Sequence, residues 1–143
     1  METKLTCILL FFIVSSKAQF NEQKGAVAEG YDVISYFEET PEKGSSDFVT
    51  IYEDAEFRFV SEKHLRTFQE NPKKYLPQYG GYCAYAIANG EKVKINPKTY
   101  EIRDGKLYLF YNSWGNNTLG LWQKEGAVEL QKQADTNWKR MGH

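Results

Sequence analysis

The chain has little of what usually announces chemistry. Its 143 residues include two cysteines and two histidines, and 18 basic against 19 acidic side chains give a net charge of −1. There is no Cys-x-x-Cys, no His-x-x-x-His and no acidic cluster with ligand spacing, which excludes a closed four-ligand zinc site. A glycine-rich phosphate loop, a Gly-x-Ser-x-Gly elbow and a paired-carboxylate motif are also missing. Balanced charge leaves no electrostatic footprint for nucleic acid or for an anionic membrane surface. The apolar run from Cys7 to Val14 is less than half of the roughly 20 residues that a spanning helix needs.

That run has the flanks of a cleavable secretion signal. Residues 1–18 read METKLTCILLFFIVSSKA, with Lys4 before the apolar stretch and Ser16-Lys17-Ala18 ahead of Gln19. The expectation is export to the periplasm or the extracellular space, with no membrane attachment after cleavage. Taking 18 residues from 143 leaves 125, the size of one domain. Removing Lys4, Lys17 and Glu2 from the 18 basic and 19 acidic residues leaves 16 against 18, a net charge of −2. Cys7 leaves with the signal, so Cys83 remains as a lone thiol and no intramolecular disulfide can form.

An aromatic content of 15% argues for a substantial core. Residues 19–29 are polar and aperiodic and read as a flexible lead-in to a single domain over 30–143. Tyr31 to Phe37 is either a short strand or a helical turn. Thr40 to Ser46 is a loop by its Pro, Gly and Ser content. Phe48–Tyr52 and Glu56–Val60 form a β-hairpin, with Phe57 and Phe59 on one face. Ser61 caps a helix through Gln69, which Asn71-Pro72 ends. A further helix follows Gly80-Gly81, short strands fall at Lys92–Ile95 and Tyr100–Arg103, and Asp104-Gly105 turns into Leu107–Tyr111. Beyond Trp114 the chain is helical, with Ala127, Leu130, Ala134 and Trp138 forming an apolar stripe. The fold class is therefore α+β: a small antiparallel sheet from short hairpins with several helices packed on it.

Few residues are candidates for chemistry. Cys83, behind two glycines in YGGYCAYA, is either a buried packing residue, a metal ligand or a nucleophile activated in a first helical turn. His64, early in the helix after Ser61, is either a solvated side chain, a ligand or a base for Cys83. Together they compose a sparse soft-metal site of the kind that suits copper. His143, the final residue, is expected to fray. Asp32 either caps a turn or orients a histidine. Tyr75, Tyr79, Tyr82 and Tyr85 around the cysteine read as packing, and Asn116-Asn117-Thr118 matches the glycosylation acceptor pattern.

Gly30 to Phe37 (GYDVISYF), Glu56 to Tyr75 (EFRFVSEKHLRTFQENPKKY), Pro77 to Tyr85 (PQYGGYCAY) and Ala134 to Trp138 (ADTNW) together resemble the exported proteins that carry a YHS domain. The resemblance spans nearly the whole segment after the signal. It implies a small α+β module and, in cysteine-bearing relatives, binding of heavy-metal ions such as copper. It implies no catalytic activity. Those relatives carry a Phe-Cys-Ser-x-x-Cys type of segment, where this chain has Phe59-Val60-Ser61-Glu62-Lys63-His64; Val60 replaces the first thiol and His64 falls at the second. The expectation is an exported, non-enzymatic domain that binds a soft metal ion through Cys83 and His64, or a small ligand. The alternative is an interaction module for a partner protein, with Cys83 buried and no metal.

Overall fold

The structure, a computed structural model, describes residues 20–143. The secretion signal expected at 1–18 lies outside the described residues. Two short strands open the fold, β1 (Glu22–Gln23) and β2 (Ala26–Val27), followed by helix α1 (Val33–Phe37). Next come the hairpin β3 (Ser45–Tyr52) and β4 (Ala55–Phe59), then helices α2 (Glu62–Glu70), α3 (Pro72–Tyr75) and α4 (Ala84–Ala88). The hairpins β5 (Asn96–Arg103) with β6 (Lys106–Phe110) and β7 (Asn112–Ser113) with β8 (Asn116–Asn117) lead to α5 (Thr118–Glu125) and α6 (Ala127–Arg140). The class is α+β. Its strands form four separate two-stranded antiparallel sheets among the described residues.

One local device makes all four hairpins. Each turns through two residues in the left-handed region: Lys24-Gly25, Glu53-Asp54, Asp104-Gly105 and Trp114-Gly115. Such turns match the right-handed twist of paired strands. Gly and Asp adopt them readily, whereas Glu53 and Trp114 do so against steric preference.

The core gathers the inward faces of β4 and β6 under the helices. Phe57 and Phe59 on β4 stack on Phe68 of α2, with ring centroids 4.9 and 5.2 Å apart. Tyr108 and Phe110 on β6 pack against Trp122 of α5, and all three are buried. Ala127, Leu130 and Ala134 form the buried stripe of α6, which lies against α4.

Three sequence expectations are corrected. The lead-in is built into the fold over 20–29: Ala26 and Val27 are fully buried, and the Asn21 side chain donates to the Gly81 carbonyl at 3.1 Å. Apolar residues inside a polar stretch, not periodicity, anchor it. Lys92–Ile95 forms no strand, and β5 begins at Asn96. His143 does not fray but stacks on Trp138 at 4.0 Å, with its Nε2 3.0 Å from Lys92 Nζ. Burial, and then the Lys92 charge, lower its pKa below the ordinary imidazole value.

Buried phenols tie the layers together. Tyr36 donates its hydroxyl to the Pro97 carbonyl at 2.6 Å. Burial pushes the Tyr36 phenol above the ordinary range, pushes Tyr79 up with help from Asp135, and raises Tyr108 to about 12. In the unfolded chain a phenol ionises near about pH 10. Folding thus favours the protonated forms, and their stabilisation is complete below that pH and lost as pH rises above it. A spectrophotometric titration is expected to show the tyrosinate absorbance of these three groups appearing together with unfolding on the alkaline side. Ionisation of all tyrosines near pH 10 with the fold intact would contradict this.

Candidate functional site

Asp32 opens α1 and organises the first cluster. Its side chain is fully buried, and Oδ1 accepts from the backbone N–H of Ile34 and Ser35 at 2.8 and 3.3 Å. Oδ2 accepts from the Val60 N–H at 2.9 Å and from His64 Nδ1 at 2.6 Å. A carboxylate only accepts, so the His64 ring carries its proton on Nδ1. Its other nitrogen lies 3.2 Å from the Glu38 carboxylate. Asp32 therefore both caps α1 and orients His64, joining the two roles weighed from sequence. The backbone N–H of Val60 thus has a structural use, tying the end of β4 to the start of α1.

An oriented Asp-His pair can serve a nucleophile, and two serines flank it, Ser35 on α1 and Ser61 before α2. Ser35 directs its hydroxyl to the Asp32 carbonyl and accepts from the Glu42 N–H at 3.0 Å. Ser61 accepts from the His64 N–H at 3.2 Å, capping α2. Neither serine oxygen is hydrogen-bonded to the His64 ring.

Cys83 sits at the N-terminal boundary of α4 and is 0% exposed. Its Sγ lies 3.3 Å from Thr118 Oγ1. The Thr118 hydroxyl gives its one proton to the Tyr111 carbonyl at 2.6 Å, so the Cys83 S–H is the donor of the pair. The thiol thereby bridges α4 to the start of α5. Among the described residues no hydrogen bond joins His64 to Cys83, and the two share no hydrogen-bond partner. Among the described residues no group of three or more His, Cys, Asp or Glu side chains is placed to hold a metal ion. The same Thr118 completes the glycosylation pattern, with Asn116 exposed on β8.

Two open clefts offer more room. The larger, about 640 Å³, has Leu76, Pro77, Tyr79 and Trp138 among its lining residues, with Asp135 and Lys106 beside them. Ligand sites commonly fall at roughly 300–1,000 Å³. Tyr79 is buried in the left-handed region at φ +57, an unfavourable backbone for a bulky aromatic, and Gly80 follows at φ +61. Its hydroxyl donates to Asp135 Oδ1 at 2.8 Å. The Tyr79 and Trp138 rings meet edge-on at 6.2 Å, and His143 stacks on Trp138. His143 Nδ1 is buried with no hydrogen-bond partner. The segments PQYGGYCAY and ADTNW thus meet through Tyr79, Asp135 and Trp138. Asn137 of the second block caps α4 by donating to the carbonyls of Ile87 and Ala88 at 2.9 and 3.0 Å.

Sequence reasoning treated Tyr79 as packing and Trp138 as part of a core stripe, and it gave Asp135 no role. The signal that was present is the non-glycine residue before Gly80-Gly81, where a tight reversal forces an aromatic into a strained backbone. The smaller cleft, about 460 Å³, collects lysines from distant segments and has no sequence signature. Comparison of the chain with protein-family models, with curated proteins and with solved structures finds no match.

Proposed function

We propose that this chain is an exported, non-enzymatic YHS-like module that binds a small, flat, largely apolar ligand in the cleft over Tyr79 and Trp138. The observation that carries this reading is the strained Tyr79 held by Asp135 beside Trp138 in an open cleft of ligand size. Strained, over-determined side chains concentrate at binding sites. The aromatic lining offers an apolar face, and Gln78, Lys106 and the rim charges offer partners for polar substituents. The burial of Cys83 and its hydrogen bond to Thr118 favour a packing role for the thiol over a nucleophilic one.

Indole and phenol serve as probes. In amide and indole N–H NMR spectra of the protein beginning at Gln19, both probes are expected to shift Gln78, Gly80 and Trp138, and Trp138→Ala to abolish the shifts. Shifts confined to other regions, or none, would overturn the reading. Cu(I) added to the reduced protein is expected to leave His64 and Cys83 unmoved; concerted shifts of both would restore the soft-metal reading.

A further inference from the structure

Apart from the aromatic cleft, the chain concentrates positive charge in one place. The cleft of about 460 Å³ is lined by Lys24, Lys43, Lys94 and Lys98, with Glu29 as its one acidic residue. Lys24 approaches Glu29 at 3.6 Å, while Lys43, Lys94 and Lys98 form no ion pair among the described residues. This happens on a chain whose overall charge is −1, so the cluster is not a by-product of a basic composition.

The backbone explains the convergence. Lys43 is brought in by the bridge that pairs it with Tyr31, next to the start of α1. Lys98 lies within the irregularity between Asn96 and Tyr100, where β5 shifts register against β6, and Lys94 precedes it by two residues. Asn96 and Asn112 are pinned, Asn96 Nδ2 donating to the Asn112 carbonyl at 3.3 Å and Asn112 Nδ2 to Thr99 at 3.1 Å. The lining is thus a hydrogen-bonded polar frame carrying exposed cationic arms. Tyr31, Tyr111 and Ser113 add hydroxyls that have no side-chain hydrogen bond within the described residues.

A second observation concerns the residue that follows the lining residue Ser113 in the chain. Ser113 is followed by Trp114, which is 98% exposed and held at φ +53 in the turn between β7 and β8. A fully exposed tryptophan in a disfavoured backbone conformation contributes nothing to the core. Its indole is an exposed stacking face one residue beyond Ser113, which lines the cleft.

We propose that this cleft binds a small anionic saccharide, a sugar carrying a carboxylate or a phosphate. The lysines meet the acid by charge-assisted hydrogen bonds, the Tyr and Ser hydroxyls meet the ring hydroxyls, and Trp114 covers an apolar sugar face. The cleft volume suits one or two sugar rings and not a long polyanion. This inference is independent of the ligand proposed for the Tyr79 cleft.

Glucuronate and glucose 6-phosphate are the probes, with glucose and inorganic phosphate as controls, read by NMR shifts of residues 94–98 and of the Trp114 indole. At least one anionic sugar is expected to bind about tenfold or more tightly than either control. Binding should weaken with added salt, because the cleft is open and its charges are screened. Lys94→Gln with Lys98→Gln is expected to reduce affinity about tenfold, with unchanged spectra at Gly80 and Trp138 reporting an intact fold. Failure of both anionic sugars, equal binding of glucose, or equal binding of inorganic phosphate would overturn the proposal. None of these results bears on the Tyr79 cleft, whose resonances report separately.

Discussion

Replacing Asp32 by alanine is expected to remove about 3–5 kcal/mol of stability, a large part of what a domain of this size possesses. The buried carboxylate receives three backbone N–H groups and the His64 ring, from α1, β4's exit and α2. Truncation leaves those donors buried without acceptors, and each such loss costs about 1–3 kcal/mol. Asp32→Asn separates the two halves of the role. Its oxygen can still cap α1, but its NH₂ would face the Val60 N–H and His64 Nδ1, donor against donor. The amide variant is therefore expected to fall between wild type and alanine. Urea unfolding with an unchanged slope measures the order. An alanine variant within about 1 kcal/mol of wild type would show that Asp32 is incidental to the fold.

Trp122→Ala is expected to cost a similar amount, about 3–5 kcal/mol, through a different mechanism. The indole is 0% exposed, packs on Tyr108 and Phe110 at centroid distances of 5.8 and 5.4 Å, and donates Nε1–H to Glu101 Oε2 at 2.9 Å. Its removal opens a cavity between α5 and the β5–β6 hairpin and leaves the Glu101 oxygen with one donor fewer. A shift in thermal midpoint on the order of 10–20 °C follows for a chain of this length. Trp122→Phe fills most of the cavity and is expected to recover more than half of the loss. Equal effects of Phe and Ala would place the energy in the Glu101 hydrogen bond instead.

Local signals in this chain were legible and long-range ones were not. The Ser61 cap, the Asn71-Pro72 stop, the Asp104-Gly105 turn and the α6 stripe each depend on neighbours in sequence, and each stands where those neighbours put it. Glu53-Asp54 turns the hairpin that its flanking β-rich runs predict, whereas Trp114-Gly115 makes the same type of turn into β8, where the sequence predicts helix, because Trp rarely supplies a left-handed first residue. The lead-in went unread because Ala26 and Val27 find their burial against β4, far along the chain. At the site, Asp32 and His64 stand 32 residues apart and Tyr79 and Asp135 stand 56 apart. No periodicity connects such pairs. Only tertiary packing decides that Cys83 meets Thr118 and that His64 meets Asp32.

On the proposed reading Cys83 and His64, the residues with the most chemistry, serve the fold, and binding belongs to the clefts. The reactivity of the native Cys83 thiol tests this most directly. With the reduced, metal-free protein beginning at Gln19, labelling by a maleimide is expected to be slow and to follow the opening of the domain, accelerating in step with destabilising urea. Labelling of the native protein at the rate of a free thiol, unchanged by urea, would contradict it and return Cys83 to the list of ligands.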